Sequence, residues 1–310
     1  LSSMLFTIRQ ALSAVINIIL FAADPTVRAG GLLLNANALG SYLLFSLALG
    51  ITLLLKPMQK KAKVLVSVST ALIAVSFLLS FSYTGWVSFI IPLVLYGIVF
   101  RQQLFRKKNS IRFMLVLAVV VFAAIGFRYM STGNFSQAVQ LHKTISPEAA
   151  EKSFTQRWNF IISSSEIFLD NPVIGTGLNT FQNIYPRYAH TLIEQPRYAH
   201  NYYLQTAAEL GIFGFITFVG FVILLLRTSY RVIKKTFADP EKHYYFTGLG
   251  LGLLASCIHA AVDFGWQFPG VFILFWLAGG MLWGQSLPTV PGQTIKPKRN
   301  TVKNIAAGLL

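Results

Sequence analysis

Apolar residues run almost without a break over 32–55, 64–82, 84–100, 113–130, 202–226, 244–262 and 268–286. A helix rising about 1.5 Å per residue needs roughly 20 such residues to cross a hydrocarbon core of about 30 Å, so each stretch predicts a membrane span. A further segment around 5–23 is interrupted by Arg9 and predicts a span whose start is missing or frayed. The long polar connection over 131–201 has a pattern of its own. Glu148 to Leu169 carries apolar residues at helical spacing after Ser146-Pro147, a helix start, and Asn171-Pro172 breaks the run. Gly175 to Phe181 then reads as a tight turn rather than a phosphate cradle, because no strand precedes it.

The fold class that follows is all-α: a polytopic transmembrane helical bundle of about eight spans with one long extracytoplasmic loop containing short helices. Its organisation is expected to be N-terminal transmembrane helices over 1–130, the extracytoplasmic loop over 131–201, C-terminal transmembrane helices over 202–286, and a basic cytoplasmic tail over 287–310 leading into a truncated span. The chain opens on Leu1 without a Met and turns apolar again at Ile305 to Leu310, so both ends read as cut. Gly248, Gly250 and Gly252 put small residues four apart, a spacing that lets helices approach closely.

Composition agrees with a membrane class. Of 310 residues 54% are apolar, and the mean hydropathy is +0.59, well above an ordinary soluble domain. Cys257, the lone cysteine, lies inside an expected span and cannot form an internal disulfide. A net charge of +16 raises the question of a nucleic-acid partner, and its distribution removes it. If each apolar stretch crosses once, 18 basic residues and only Asp239 and Glu241 fall on one side, against seven basic and eight acidic residues on the other. This is the positive-inside asymmetry, which makes the lysine-rich loops cytoplasmic and 131–201 extracytoplasmic in a bacterial inner membrane.

On the outer side, several groups of residues stand in a recognisable order. Arg28-Ala-Gly-Gly31 is followed by Asn35, Asn37 and Tyr42. Arg157-Trp158 leads to Asp170-Asn-Pro172, Gly175-Thr-Gly177 and Phe181. His200-Asn201-Tyr-Tyr203-Leu204-Gln205 precedes Glu209-Leu210-Gly211, and His259 is followed by Asp263-Phe264 and Pro269. Together these resemble the O-antigen ligase family, and they cover nearly the whole chain.

The resemblance implies transfer of a glycan from an undecaprenyl-diphosphate-linked donor to an acceptor hydroxyl at the outer face of the inner membrane, with no metal or other cofactor. The acceptor would be a lipid, the wall or a protein, and the surroundings membrane lipids. In the family an outer His assists the acceptor and two arginines hold the diphosphate. By position these are His200 and Arg157, while Tyr83 in Ser82-Tyr83-Thr84-Gly85 stands where the second arginine is expected. A phenol donates one hydrogen bond but brings no charge. Arg28, on the same side, is the alternative cation, and Arg197 and Asn201 complete the expected substrate-binding set with Tyr83 and Glu209.

The residues also support a reading of their own. Arginine's planar fork suits phosphate oxygens, and an imidazole titrating near pH ~6.5 accepts a proton at neutral pH. The plainer alternatives are that His200 caps the following helix and that Arg157 anchors a headgroup. Asn201, Gln205 and Glu209 recur every four residues and line one helix face, where a buried hydrogen-bond network competes with a catalytic role for Glu209. His259 and Asp263 are also four apart and read as a structural or supporting pair, too few ligands for a metal. Pro186-Arg187-Tyr188-Ala189-His190 recurs at Pro196-Arg197-Tyr198-Ala199-His200, which reads as a local duplication in the loop. Within glycan transfer a polysaccharide polymerase or a protein O-oligosaccharyltransferase stays open. So do a non-catalytic lipid-linked glycan binder and a transporter, although no internal repeat of spans favours the last.

Overall fold

The computed structural model describes residues 30, 33–99, 147–190 and 196–288. The spans expected around 5–23 and 113–130, the basic tail and Arg28 lie outside the described residues. The rest is helical: α1 Ala36–Leu55, α2 Lys60–Leu79, α3 Tyr83–Val99, α4 Pro147–Asp170, α5 Phe181–Ile184, α6 Tyr202–Lys235, α7 Pro240–Ala260 and α8 Pro269–Ser286. No strand occurs among the described residues. By length and composition α1, α2 and α6 are able to cross a membrane, and α3 is a shorter apolar helix. The molecule is thus an all-α polytopic bundle.

Helix boundaries follow local chemistry. Asn35 caps α1 by accepting from the Ala38 amide at 2.9 Å, and α1 stops at Lys56, which is extended because Pro57 follows it. Asp239 caps α7 through the amides of Glu241 and Lys242, with Pro240 in the first turn. Lys56 Nζ meets the Glu241 carboxylate at 2.8 Å, so the α1–α2 and α6–α7 connections sit at one end of the bundle.

At the centre α7 packs on α1 through the predicted small residues. Gly248 lies over Leu49 and Thr52, and Gly252 over Phe45. A Cβ at Gly252 would stand 2.9 Å from the Phe45 Cα, so the backbones themselves are in near contact. Gly252→Val is accordingly expected to lower stability by about 1–3 kcal/mol through overpacking. Thermal unfolding in detergent checks this, with Gly280→Ala, where added bulk meets open space, as the neutral control.

The helix expected over 202–226 is longer and is not straight. Gly211 has φ 65° and ψ −166°, conformations that only glycine adopts freely. The Tyr202 and Tyr203 rings lie 5.5 and 5.9 Å from that of Phe218, whereas a straight helix would separate residues 202 and 218 by about 24 Å. The helix therefore bends back on itself, giving an outer arm (202–210) and an inner arm (212–235). Tyr203 holds the outer arm to α7 by donating to the Cys257 carbonyl at 3.1 Å.

The α4 helix covers the predicted Glu148 to Leu169 and ends at the Asn171-Pro172 break. Phe160 and Ile167 of α4 share a small core with Phe181, Tyr185, Ala199 and Ala208. This core docks α4 and the segment after it onto the 202–210 arm of α6.

Candidate active site

Asp263 is the centre of the end of the bundle opposite Lys56 and Glu241. Its side chain is 0% exposed, and α7 has already ended at Ala260, so it stands in the turn before α8. One carboxylate oxygen, Oδ2, accepts from Asn37 Nδ2 at 2.8 Å, Thr84 Oγ1 at 3.3 Å and Arg157 at 3.3 Å. The other, Oδ1, accepts from the Phe264 amide at 2.8 Å and faces His200 Nδ1 at 3.6 Å. A carboxylate without water is unfavourable unless paired and hydrogen-bonded, and this one is both.

Each contributor is delivered by a specific local device. Asn37 lies in the first turn of α1, fixed by the Asn35 cap. Thr84 opens α3 where the chain turns at Phe81, which has φ 46°, and Ser82 steadies that start by accepting from the Gly85 amide at 3.3 Å. Arg157 projects from the middle of α4 with its side chain 29% exposed. His200 directly precedes the α6 cap and has φ 52°, a left-handed conformation uncommon outside glycine.

His200 is stacked on Phe160 at 5.5 Å and set edge-on to Phe264 at 4.4 Å. That burial pushes its imidazole down from the ordinary range to about 4; Asp263 draws it upward and Arg157 lowers it. The ring is therefore neutral at pH 7, and its Nδ1 has no hydrogen-bond partner. The group has one guanidinium, one neutral imidazole and one carboxylate between them. Such a set is able to hold an anionic leaving group and to take a proton from an incoming hydroxyl.

Among the residues singled out from the sequence, Arg157, His200, His259 and Asp263 come together here. His259 does not share a helix face with Asp263; the two are linked through Thr84, whose Oγ1 is 3.3 Å from His259 Nε2. Tyr83 is exposed beside this group and packs on Trp86 at 5.1 Å. Arg197 lies over the Tyr198 ring at 5.5 Å, and Tyr198 stacks on Phe264 at 5.6 Å. Asn201 is the α6 cap, accepting from the Leu204 amide at 3.0 Å. Thr84 and Asn37 complete the group, and neither carries a charge or a spacing in the sequence that marks it as a partner of Asp263.

Glu209 performs a separate task. Its carboxylate accepts from the amides of Asn179 at 2.8 Å and Phe181 at 3.1 Å and from Gln205 Nε2 at 3.0 Å. Gln205 in turn accepts from the Ala199 amide at 3.2 Å. The turn at Gly175 to Phe181, with positive φ at Gly175, Gly177 and Asn179, thus directs its amides to the protein's own carboxylate and carbonyls. The hydrogen-bond network weighed against catalysis for Glu209 is present, and it runs from this turn to the residue before His200.

The two copies of the repeat have different surroundings. In the first, Tyr188 donates to Asp170 at 2.8 Å and His190 meets Glu166 at 2.9 Å; the Asp170 hydrogen bond raises the Tyr188 hydroxyl above its usual range. In the second, Tyr198 and His200 join the Asp263 group. Among the described residues no cluster of three or more His, Cys, Asp or Glu is placed to hold a metal ion.

No curated protein matches the chain. A family model described as O-antigen ligase matches residues 68–219, the stretch that carries Thr84, Arg157 and His200. Over that stretch, about half of the chain, the protein is similar to the O-antigen ligase family.

Proposed function

We propose that the protein transfers a glycan from an undecaprenyl-diphosphate-linked donor to an acceptor hydroxyl at the outer face of the bacterial inner membrane, within the ligase or polymerase type of role that this similarity implies. The observation that carries this reading is the meeting of Arg157 and His200 on one buried carboxylate, Asp263. Arg157 is the cation for the departing diphosphate. Arg28, and Tyr83 with its single hydroxyl, are proposed to meet the same donor, with Arg197 at the exposed edge.

His200 serves as the general base. In the neutral ring, a proton on Nδ1 facing Asp263 leaves the Nε2 lone pair free for the acceptor hydroxyl. As the acceptor oxygen attacks the anomeric carbon, the bond to the diphosphate breaks, the acceptor proton passes to His200 and the diphosphate leaves carrying the bonding electrons. Asp263 stabilises the imidazolium so formed. The charge distribution of the loops supports placing 131–201 outside the cytoplasm, and the Lys56–Glu241 pair is consistent with two of the basic connections sharing one end.

Transfer of labelled glycan from undecaprenyl diphosphate by purified full-length protein in liposomes tests the proposal. His200→Ala and Arg157→Ala are each expected to lose roughly 100-fold or more of the rate. Because the base must be neutral, and its pKa is depressed to about 4, kcat/KM should stay level from pH 7 to 5 and fall only as pH approaches 4. A profile that falls near 6.5, or unchanged turnover in both variants, would reject the assignment. In the same assay, transfer onto a lipid or wall acceptor, onto a second lipid-linked glycan, or onto protein separates ligase, polymerase and protein transferase.

A further inference from the structure

The outer end carries an apolar surface that the reaction does not use. Leu169, Val173, Ile174 and Leu178, which surround the Asn171-Pro172 break, are 70%, 55%, 80% and 75% exposed. They are not on a loose loop. The Ile212 amide donates to the Pro172 carbonyl at 2.8 Å, the Thr176 amide to Ala208 at 3.0 Å and the Gly177 amide to Glu209 at 2.8 Å. The segment is therefore fixed against the bend of α6.

Next to it the inner arm presents Phe213 and Ile216, also largely exposed, on the helix long and apolar enough to span a membrane. The inner arm ends on Arg227, Arg231, Lys234 and Lys235. Counting back from Arg227, the first charge, 16 helical residues or about 24 Å reach Gly211, so a crossing of roughly 30 Å takes in the bend. The 169–178 segment thus sits at the outer rim of the hydrocarbon, continuous with the lipid-facing side of α6. Its only charged residue, Asp170, accepts a hydrogen bond from Tyr188, so the surface has no cation with which to seek anionic headgroups.

We propose that residues 169–178 form a fixed apolar wedge, inserted among the acyl chains of the outer leaflet beside the glycan-transfer site. Val173, Ile174 and Leu178 are its lipid contacts. The inference rests on the membrane orientation adopted above, and it adds a lipid-contacting element outside the spans. Insertion is driven by apolar contact and is indifferent to salt.

Nitroxide accessibility tests it in full-length protein carrying Cys257→Ala, reconstituted in nanodiscs of zwitterionic lipid. Spin labels are placed singly at Ile174→Cys, Leu178→Cys, Ile216→Cys and Arg187→Cys. At 174 and 178, as at 216, collision with oxygen is expected to exceed collision with a water-soluble nickel chelate several-fold, with the order reversed at 187. Water-like values at 174 and 178 with lipid-like values at 216 overturn the wedge and leave the span intact. Water-like values at 216 as well would remove the membrane reading itself. Labels at 174 and 178 shielded from both reagents would mean a protein contact and also overturn it. The side chains at 174 and 178 are mostly exposed, so the substitutions leave packing intact, and monodisperse elution verifies this.

Discussion

Replacing Asp263 by Asn is expected to lower the maximal rate of glycan transfer by roughly 100-fold or more while the bundle stays folded. Asn keeps the size and one acceptor oxygen, but its amide group must face either the Phe264 amide or the cluster of Asn37, Thr84 and Arg157, donors all. One buried donor loses its acceptor, a loss of about 1–3 kcal/mol that thermal unfolding in detergent would register. The rate should fall further than stability, because the carboxylate that steadies a protonated His200 is gone. A purely structural Asp263 would leave the pH profile alone. If Asp263 positions the base, its removal lets burial and Arg157 hold the imidazole lower still, and the acid limb of the residual activity moves below that of the wild type. An Asn variant with near-normal kcat would show that His200 works without its partner.

Gly211→Ala is expected to destabilise the protein by about 3 kcal/mol or more. Two costs coincide. The backbone at φ 65° and ψ −166° belongs to a region almost closed to residues with a Cβ, and the added carbon would collide with the Val173 carbonyl. The segment over 172–181 would have to leave the bend, taking with it the amides that satisfy Glu209. Gly220→Ala, in the same helix but facing open space, should be neutral. Thermal unfolding of the two variants side by side checks the contrast, and equal midpoints would refute the account of the bend.

These two residues also mark where a reading of the sequence stops. The α4 helix was legible because its apolar spacing is helical and Asn171-Pro172 ends it, and the turn after it because two glycines flank a threonine. The α1–α7 contact was legible from the spacing of Gly248 and Gly252. The bend was not: within an apolar run Gly211 looks like the other glycines that let spans pack, and only its backbone angles distinguish it. Nor was the centrality of Asp263. Its partners come from residues 37, 84, 157 and 200, and no periodicity within one element reports a meeting across four. Spacing suggested a pair with His259 on a shared helix face, but that helix stops three residues before Asp263. Tyr83 stands where a cation is expected, while its neighbour Thr84 makes the contact.

The outer arm of α6 has one further implication, which concerns its length. It is pinned at one end by the Ala199–Gln205 and Asn201–Leu204 hydrogen bonds and at the other by Glu209 and the Ile212–Pro172 bond. Each helical residue turns the chain by about 100°. Inserting or deleting a single residue between 202 and 210 would therefore swing Glu209 away from its amides or His200 away from Asp263, since both cannot be kept. The nine-residue arm acts as a ruler, and related chains that keep both contacts should vary its composition far more readily than its number of residues.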